Sequence, residues 1–309
     1  MQWIKRAFLF IAINSLVILT ISLILSFLHI KPYLTAYGMD YQSLLVFCFI
    51  WGMIGAFISL LLSRKMAKWM LKIRIIDPKR MTKAEEKLWT TIQRLARAAG
   101  LPDTPEVGIF SSPSLNALAT GPTKRRSLVA VSTGLVEQMN DDQIEAVLGH
   151  EISHIANGDM VTMTLIQGIV NAFVMFLARA LAFALSVAGN RGQRNSNRFS
   201  FGSFYLLSFL FEIFFMIFGS MVIAFFSRIR EYRADRGGAM LSSREKMISA
   251  LQALAAASDR PSQRRKKGQS EALQALMIAR PKSKFLSIRL FATHPPLEER
   301  IQRLQQNSG

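Results

Sequence analysis

The chain has 309 residues, of which 50% are hydrophobic and only 19% are charged, so general disorder is excluded. Its single cysteine, Cys48, excludes an intramolecular disulfide. The formal net charge of +18 indicates a polyanionic partner, either a nucleic acid or an anionic membrane face. The mean hydropathy of +0.25 is high for a soluble protein, so the distribution of apolar residues decides between these two partners.

Two uncharged runs near the start of the chain, residues 7–28 and 43–62, are each long enough to cross a bilayer as a helix. The first is too long for the apolar core of a signal peptide. The short connection between the runs carries one basic residue, Lys31, whereas seven basic residues follow within residues 63–82. By the positive-inside rule, the N-terminus and the chain beyond the second run face the cytoplasm.

Two later stretches, residues 160–188 and 199–227, are apolar except for Arg179 in the first and Glu212 in the second. They predict either two further spanning helices or a hairpin that enters the membrane partway, and both geometries return the chain to the side it left. Because charged groups are costly in lipid, the favoured interpretation is an ion pair between adjacent helices, and the alternative is a substrate-facing role. Basic residues beside apolar segments account for much of the positive charge through contact with anionic headgroups, and no nucleic-acid-binding module is apparent.

These features divide the chain into four parts. Residues 1–62 are predicted to form two transmembrane helices, and residues 63–159 a cytoplasmic part with a small sheet. Residues 160–227 are predicted to form the apolar hairpin, and residues 228–309 a second, helical cytoplasmic part. The soluble portion is therefore expected to be α+β.

Within the soluble parts, helical periodicity predicts helices, and short apolar or alternating runs between turn residues predict strands. The predicted helices are 83–99, 141–156, 227–236 and 242–257, followed by one with Pro295 and Pro296 in its first turn. The predicted strands are 106–110, 115–120 and 128–132. Gly237-Gly238 predicts the end of the third helix, and Ser242 with Glu245 predicts a capping box for the fourth.

The predicted helix 141–156 contains the sequence His150-Glu151-Ile152-Ser153-His154. Two histidines four residues apart lie on one face of a helix, so their imidazoles can bind one metal ion. The glutamate beside the first histidine is then placed to take a proton from water at the open position of the metal. Met160 stands where a metzincin has its third histidine, so that class of metalloprotease is excluded.

A catalytic zinc ion needs a third protein ligand, and the best acidic candidate is Glu231 in Glu231-Tyr232-Arg233-Ala234-Asp235. Asp235 lies one helical turn further on and can accept the free N–H of a ligating histidine. Alternatively, both carboxylates pair with neighbouring arginines on a solvated face. His294 either donates a hydrogen bond to the transition-state oxyanion or is a surface histidine. Residues 116–120 form either an edge strand that binds an extended peptide or an ordinary strand of the sheet.

Taken together, these motifs resemble the HtpX family, the heat-shock-inducible, membrane-embedded zinc metalloproteases of bacteria. The motifs that carry the resemblance are His-Glu-Ile-Ser-His at 150–154, Glu-Tyr-Arg-Ala-Asp at 231–235, Asn-Ala-Leu-Ala-Thr-Gly at 116–121, Val-Ala-Val-Ser-Thr-Gly at 129–134 and Thr-His-Pro-Pro at 293–296. The resemblance covers nearly the whole chain. It implies an α+β, zincin-like metalloprotease domain with a small β-sheet and about four α-helical transmembrane segments.

The resemblance also implies roles for individual residues. One zinc ion per chain would be held by His150, His154 and Glu231, with Glu151 as the general base. Asp235 would orient a zinc ligand, and His294 would stabilise the transition state. The substrate backbone would be held by the strand residues Asn116, Ala117, Leu118 and Ala119.

For the cell, the resemblance implies a multi-pass protein of the bacterial inner membrane whose protease part faces the cytoplasm. Its substrates would be damaged membrane proteins or unfolded proteins, its environment the lipid bilayer, and nucleic acid would not be a partner. Two alternatives stay open: a dedicated processing protease of the CAAX-prenyl type, and a non-catalytic membrane scaffold with a structural zinc. A fourth protein ligand would mark the scaffold, and Glu151 argues against it. The unusually basic loop at 259–270 departs from the family pattern and has no assigned role.

Overall fold

The computed structural model describes residues 34–35, 38–189, 201–259 and 294–306. The chain divides into two compact units, of which the first comprises Met1–Phe57 and Leu165–Ile223 and the second Ile58–Thr164 and Ala224–Gly309. The predicted transmembrane run at 7–28 and nearly all of the basic loop at 259–270 lie outside the described residues.

Helices dominate the described residues, and a small sheet accompanies them, in agreement with the predicted α+β class. The helices are α1 (Tyr41–Leu71), α2 (Lys83–Ala98), α3 (Thr133–Gln138), α4 (Asp141–Asn157), α5 (Asp159–Gly189), α6 (Phe201–Leu241), α7 (Arg244–Asp259) and α8 (Leu297–Gln306). The strands are β1 (Leu34–Thr35), β2 (Gly38–Met39), β3 (Arg74–Ile75), β4 (Glu106–Phe110), β5 (Ala117–Thr120) and β6 (Leu128–Ser132).

Three helices of the described chain, α1, α5 and α6, are long and apolar enough to cross a membrane. Each extends beyond the apolar run that predicted it, because charged residues that end an apolar run need not end a helix. In the first unit, α1 and α5 come into close contact at Gly52. A Cβ atom there would lie 2.7 Å from the carbonyl oxygen of Gly168 and 2.8 Å from the backbone nitrogen of Ala172. Small residues permit such packing where the lipid gives no hydrophobic drive to associate.

The predicted ion pair between the two apolar stretches is confirmed. Arg179 on α5 and Glu212 on α6 are only 5% and 6% exposed, and Arg179 Nη1 donates to Glu212 Oε1 over 2.6 Å. The same Nη1 atom also donates to the carbonyl oxygen of Met175 over 3.2 Å. The two costly charges are therefore matched to each other inside the first unit.

The four-stranded sheet of the second unit has the order β3-β4-β6-β5. The inner strands β4 and β6 are parallel, from Glu106 opposite Leu128 to Phe110 opposite Ser132, whereas β3 and β5 run antiparallel to their neighbours. All five residues of β6 are buried, as expected for an inner strand covered on both faces. The three predicted strands are present, and β3 was not predicted because a two-residue strand leaves no period to detect.

The predicted helix ends at α2 and α4 are largely those observed. Asn140 caps α4 with a capping box that involves Gln143, and Gly158 ends the helix in the left-handed conformation, with φ of 69°. Thr82 and Glu85 form an equivalent box at the start of α2. The buried faces of α2, α4 and α7 share one hydrophobic core with the sheet, centred on residues such as Ile92, Leu148 and Leu251.

Three predicted boundaries were wrong in the later helices. Gly237-Gly238 does not end a helix, since α6 continues to Leu241. Ser242 does not cap α7, because its hydroxyl donates to the carbonyl oxygen of Gly238, and the hydroxyl of Ser243 instead accepts from the backbone N–H of Lys246. The two prolines precede α8, and the carbonyl of Pro296 accepts the backbone N–H of Arg300.

Candidate metal centre

The helix α4 presents His150, Glu151 and His154, all of them buried. The Nε2 atoms of the two histidines lie 3.1 Å apart, one helical turn from each other. Two buried imidazole nitrogens this close together can bind one cation between them.

A carboxylate from α6 completes the cluster. Glu231 is 1% exposed, and its two oxygens lie 3.6 Å from His150 Nε2 and 3.4 Å from His154 Nε2. One ligand atom from each of the three residues lies within 4.8 Å of the others. The structure therefore brings together the three residues that were predicted as metal ligands. The alternative of a solvated face is wrong for Glu231, although Arg230 Nη2 does donate to Glu231 Oε1 over 3.3 Å.

Glycine residues permit this approach of α6 to α4. A Cβ atom at Gly238 would lie 2.9 Å from the backbone nitrogen of His150, and one at Gly237 would lie 2.4 Å from the hydroxyl oxygen of Ser153. On the facing helix, a Cβ atom at Gly149 would lie 3.2 Å from the carbonyl oxygen of Gly238. The glycine pair thus serves close helix packing, which explains why it does not end the helix as predicted.

Each histidine has a carboxylate beside its other ring nitrogen. Asp235 Oδ1 lies 3.0 Å from His150 Nδ1, at hydrogen-bonding distance but away from the preferred angle. Asp159 Oδ2 lies 2.6 Å from His154 Nδ1. Such partners favour a proton on Nδ1 and leave Nε2 free for a metal. Asp235 was predicted for this role, whereas Asp159 was missed, although its place just after the Gly158 turn was a usable signal.

The charges of the site favour a cation. Burial opposes protonation of His150, but the carboxylates of Asp235 and Glu231 outweigh it and raise its pKa to about 9. The pKa of His154 is raised as well, since Asp159 and Glu231 outweigh burial. A metal ion would supply the same positive charge and displace these protons, so the donor set fits a divalent metal bound by neutral imidazoles.

Two further predicted residues lie at defined places. His294, just before α8, has its Nδ1 atom 2.8 Å from Glu231 Oε2, so it belongs to the cluster. Asn116 lies directly before β5, and its backbone is tied to Ser132 by two hydrogen bonds. The side-chain amide of Asn116 is fully buried, and neither of its polar atoms has a hydrogen-bond partner in the described chain. Ala117, Leu118 and Ala119 follow in β5, the end strand of the described sheet.

Sequence reasoning missed Arg300. This arginine of α8 donates from Nε to Asp235 Oδ2 over 2.7 Å and from Nη2 to Asp235 Oδ1. Arg300 follows His294 by six residues and belongs to no motif that we identified. Because the predicted helix contains several charged residues, the sequence indicates a surface position for it. Only the packing of α8 reveals that it points inward.

Comparisons with known proteins identify a family for this chain. The profile of peptidase family M48 matches residues 82–308. The Protease HtpX homolog of Bacillus subtilis strain 168 is 47% identical over 308 residues, covering 97% of this chain and 99% of the relative. A Protease HtpX homolog of Methylacidiphilum infernorum is 46% identical over 303 residues, covering 98% of both chains.

A solved structure is similar in fold. The crystal structure of Ste24p from S. mikatae matches with a TM-score of 0.59 at 18% identity, covering 98% of this chain and 66% of that chain. At this identity the likeness concerns the fold alone. Taken with the apolar helices and the buried donor set, these matches establish that the chain belongs to peptidase family M48 and, within it, to the HtpX family of membrane metalloproteases.

Proposed function

We propose that this protein is a zinc-dependent endopeptidase that hydrolyses peptide bonds of misfolded or damaged membrane proteins. The observation that carries the proposal is the buried convergence of His150, His154 and Glu231, with Glu151 on the same helix. Two histidines and one carboxylate are a recurrent ligand set of catalytic zinc, and three protein ligands leave one position for water.

In this proposal one zinc ion per chain is held by His150, His154 and Glu231. When bound, zinc supplies Lewis acidity, which polarises the peptide carbonyl and brings the pKa of water toward 7. Glu151 accepts the proton of the attacking water and delivers it to the leaving amine. Asp235 orients the ring of His150 and Asp159 orients the ring of His154, in each case through the Nδ1 atom of the histidine.

Substrate contacts come from the sheet and from the start of α8. Ala117, Leu118 and Ala119 hold an extended peptide by strand addition along β5. Asn116 contributes through its side-chain amide, which has no partner in the described chain, because its backbone groups are bonded to Ser132. His294 stabilises the oxygen on which negative charge develops. Its contact with Glu231 supports this role, because it holds the imidazole beside the proposed ligands.

For the cellular setting we propose the four-part organisation predicted from the sequence, with residues 1–62 and 160–227 in the bacterial inner membrane. Residues 63–159 and 228–309 then face the cytoplasm together. The three apolar helices support a lipid environment, and the basic residues after residue 62 support this orientation. Tags inserted at residues 36 and 100 test it, because only the first should be reachable from outside.

Replacement of Glu151 by glutamine tests the chemistry. The amide is isosteric and leaves the proposed ligands intact, so the variant should bind one zinc ion per chain as the wild type does. It should lose peptide hydrolysis by about 10²–10⁴-fold or more, because glutamine cannot accept the proton. Zinc content and cleavage of an unfolded membrane protein are measured in parallel.

Two outcomes would contradict the proposal. Wild-type protein that binds no transition metal after gentle purification removes the zinc site. A Glu151→Gln variant that retains more than about a tenth of the wild-type rate, outside the range for a general base, favours the structural-zinc scaffold. Comparison of membrane proteomes with wild-type and variant protein identifies substrates, and enrichment confined to prenylated peptides would favour the processing protease.

A further inference from the structure

A fully buried arginine, Arg300, lies next to the proposed metal ligands. Arg300 is 1% exposed and is the largest of the fully buried side chains of the described chain. It lies on the same face of α8 as Leu297 and Leu304, which pack into the hydrophobic core of the second unit. An isolated charge in such a position is strongly unfavourable, so its partners indicate why it is there.

Both edges of the guanidinium face acidic residues of α6. The Nε and Nη2 atoms donate to the two oxygens of Asp235 in a bidentate interaction. The planar guanidinium of arginine can form it, whereas the ammonium group of lysine cannot. The remaining nitrogen, Nη1, lies 3.9 Å from Glu231 Oε2 and makes no hydrogen bond in the described chain. Arg300 thus touches one proposed ligand and the residue that orients another.

Further contacts join α8 to α6 beside Arg300. The hydroxyl of Tyr232 donates to Glu299 Oε1 over 2.7 Å, and the guanidinium of Arg303 lies 3.7 Å from the centre of the Tyr232 ring. These contacts involve none of the groups that contact the proposed metal ligands, and α8 is held in place by Leu297 and Leu304 in the hydrophobic core. Arg303 is half exposed, and this makes it a matched control on the same helix.

We propose that Arg300 is a positioning residue of the metal site. It donates to both oxygens of Asp235 and so keeps that carboxylate against His150 Nδ1. Without this bidentate interaction, Asp235 is free to rotate away from His150, and the imidazole loses the partner that directs its Nε2 atom toward Glu231. This inference rests on the proposed metal role of His150, His154 and Glu231.

The test measures zinc affinity directly. Arg300→Met should weaken zinc binding by about 10–100-fold, the usual range for loss of a partner of a ligating histidine. Arg300→Lys should recover part of this loss, because lysine restores the charge but not the two-pronged bond. Arg303→Met should leave zinc affinity unchanged. Affinity is measured on the full-length protein in detergent by competition with a coloured chelator.

A second readout separates positioning from general stability. Replacement of zinc by cobalt gives a visible spectrum that depends on ligand geometry, and it should change in Arg300→Met but not in Arg303→Met. In a double-variant cycle, Arg300→Met should have little further effect once Asp235 is alanine, because the arginine acts through that carboxylate. If Arg300→Met does not fold, Arg300→Lys provides the comparison, with weaker zinc binding and a changed cobalt spectrum expected.

The proposal fails if Arg300→Met binds zinc with wild-type affinity and gives the wild-type cobalt spectrum. It also fails if the effects of Arg300→Met and Asp235→Ala are fully additive, since the arginine would then act independently of Asp235. Failure of the proposed function is a different result, because the wild-type protein itself would then bind no zinc.

Discussion

Both compact units of this protein bury charged side chains, and they match those charges in different ways. In the first unit, Arg179 and Glu212 form a pair with one positive and one negative group. In the second unit, Glu231 and Asp235 lie among two histidines and Arg300, and the histidine Nε2 atoms converge on each other. A matched pair of opposite charges is explained by structure alone, whereas two imidazoles and a carboxylate that converge on one point are a donor set that fits a metal ion.

We expect the largest effect of a substitution at the proposed metal ligands. Glu231→Ala should lose zinc and with it peptide hydrolysis, whereas Asp235→Ala should weaken zinc binding by about 10–100-fold. Metal content after gentle purification and cleavage of an unfolded substrate are the two measurements. Glu245→Ala, which removes an exposed carboxylate, is the control. Full zinc occupancy in Glu231→Ala with loss of zinc in His294→Ala would exchange the roles of these residues.

In the first unit, the stability of the protein should depend on whether the charges of Arg179 and Glu212 stay balanced. Arg179→Met leaves Glu212 buried without its partner and should destabilise the protein by about 3–5 kcal/mol. The double variant Arg179→Met/Glu212→Leu should recover most of this loss, because it removes both charges together. Thermal unfolding in detergent measures both. A double variant that is stable but inactive would show that the pair faces substrate, which was the alternative interpretation.

The helix contact that brings the proposed metal ligands together should be sensitive to a single methyl group. Gly238→Ala places a Cβ atom 2.9 Å from the backbone nitrogen of His150, so α6 must move away from α4. We expect a loss of about 1–3 kcal/mol, together with weaker zinc binding. Gly55→Ala, where nothing lies within 4 Å of the new atom, should be neutral or stabilising. Equal effects of the two substitutions on stability and zinc affinity would contradict the role of Gly238.

The smallest expected effect lies away from both buried clusters. Hydrogen bonds from the backbone and hydroxyl of Thr82, together with the Arg74 guanidinium, lower the pKa of Glu85 from 4.5 to about 2. A lowered pKa stabilises the folded state above pH 4.5, and this contribution is lost as the pH falls toward 2. Glu85→Gln should therefore cost about 1 kcal/mol at neutral pH and less under acid conditions.

Thermal unfolding of Glu85→Gln against pH checks this expectation. Glu86→Gln, one residue along on the exposed side of the same helical turn, is the control and should follow the wild-type curve. A constant difference between Glu85→Gln and the wild type at every pH would mean that proton binding by Glu85 is not the cause.

Local features of the chain were predictable because their signals are local. The ends of α4 follow from Asn140 and Gly158, which satisfy backbone groups within one turn. The apolar runs predicted the three long helices because hydrophobic length is counted along the chain. Likewise, His150 and His154 share a face because a helix repeats every 3.6 residues.

The positions of Glu231, Asp235 and Arg300 in the site were decided by packing. Glycine pairs end many helices, so the sequence predicted a break at Gly237-Gly238, whereas the absence of side chains there lets α6 lie against α4. Whether Glu231 paired with a surface arginine or reached the histidines stayed open from spacing alone. The chain by itself determined the helices and the two histidines, because those depend on neighbours in sequence. The tertiary structure alone decided which distant charges meet, because burial leaves such groups only the partners that packing places beside them.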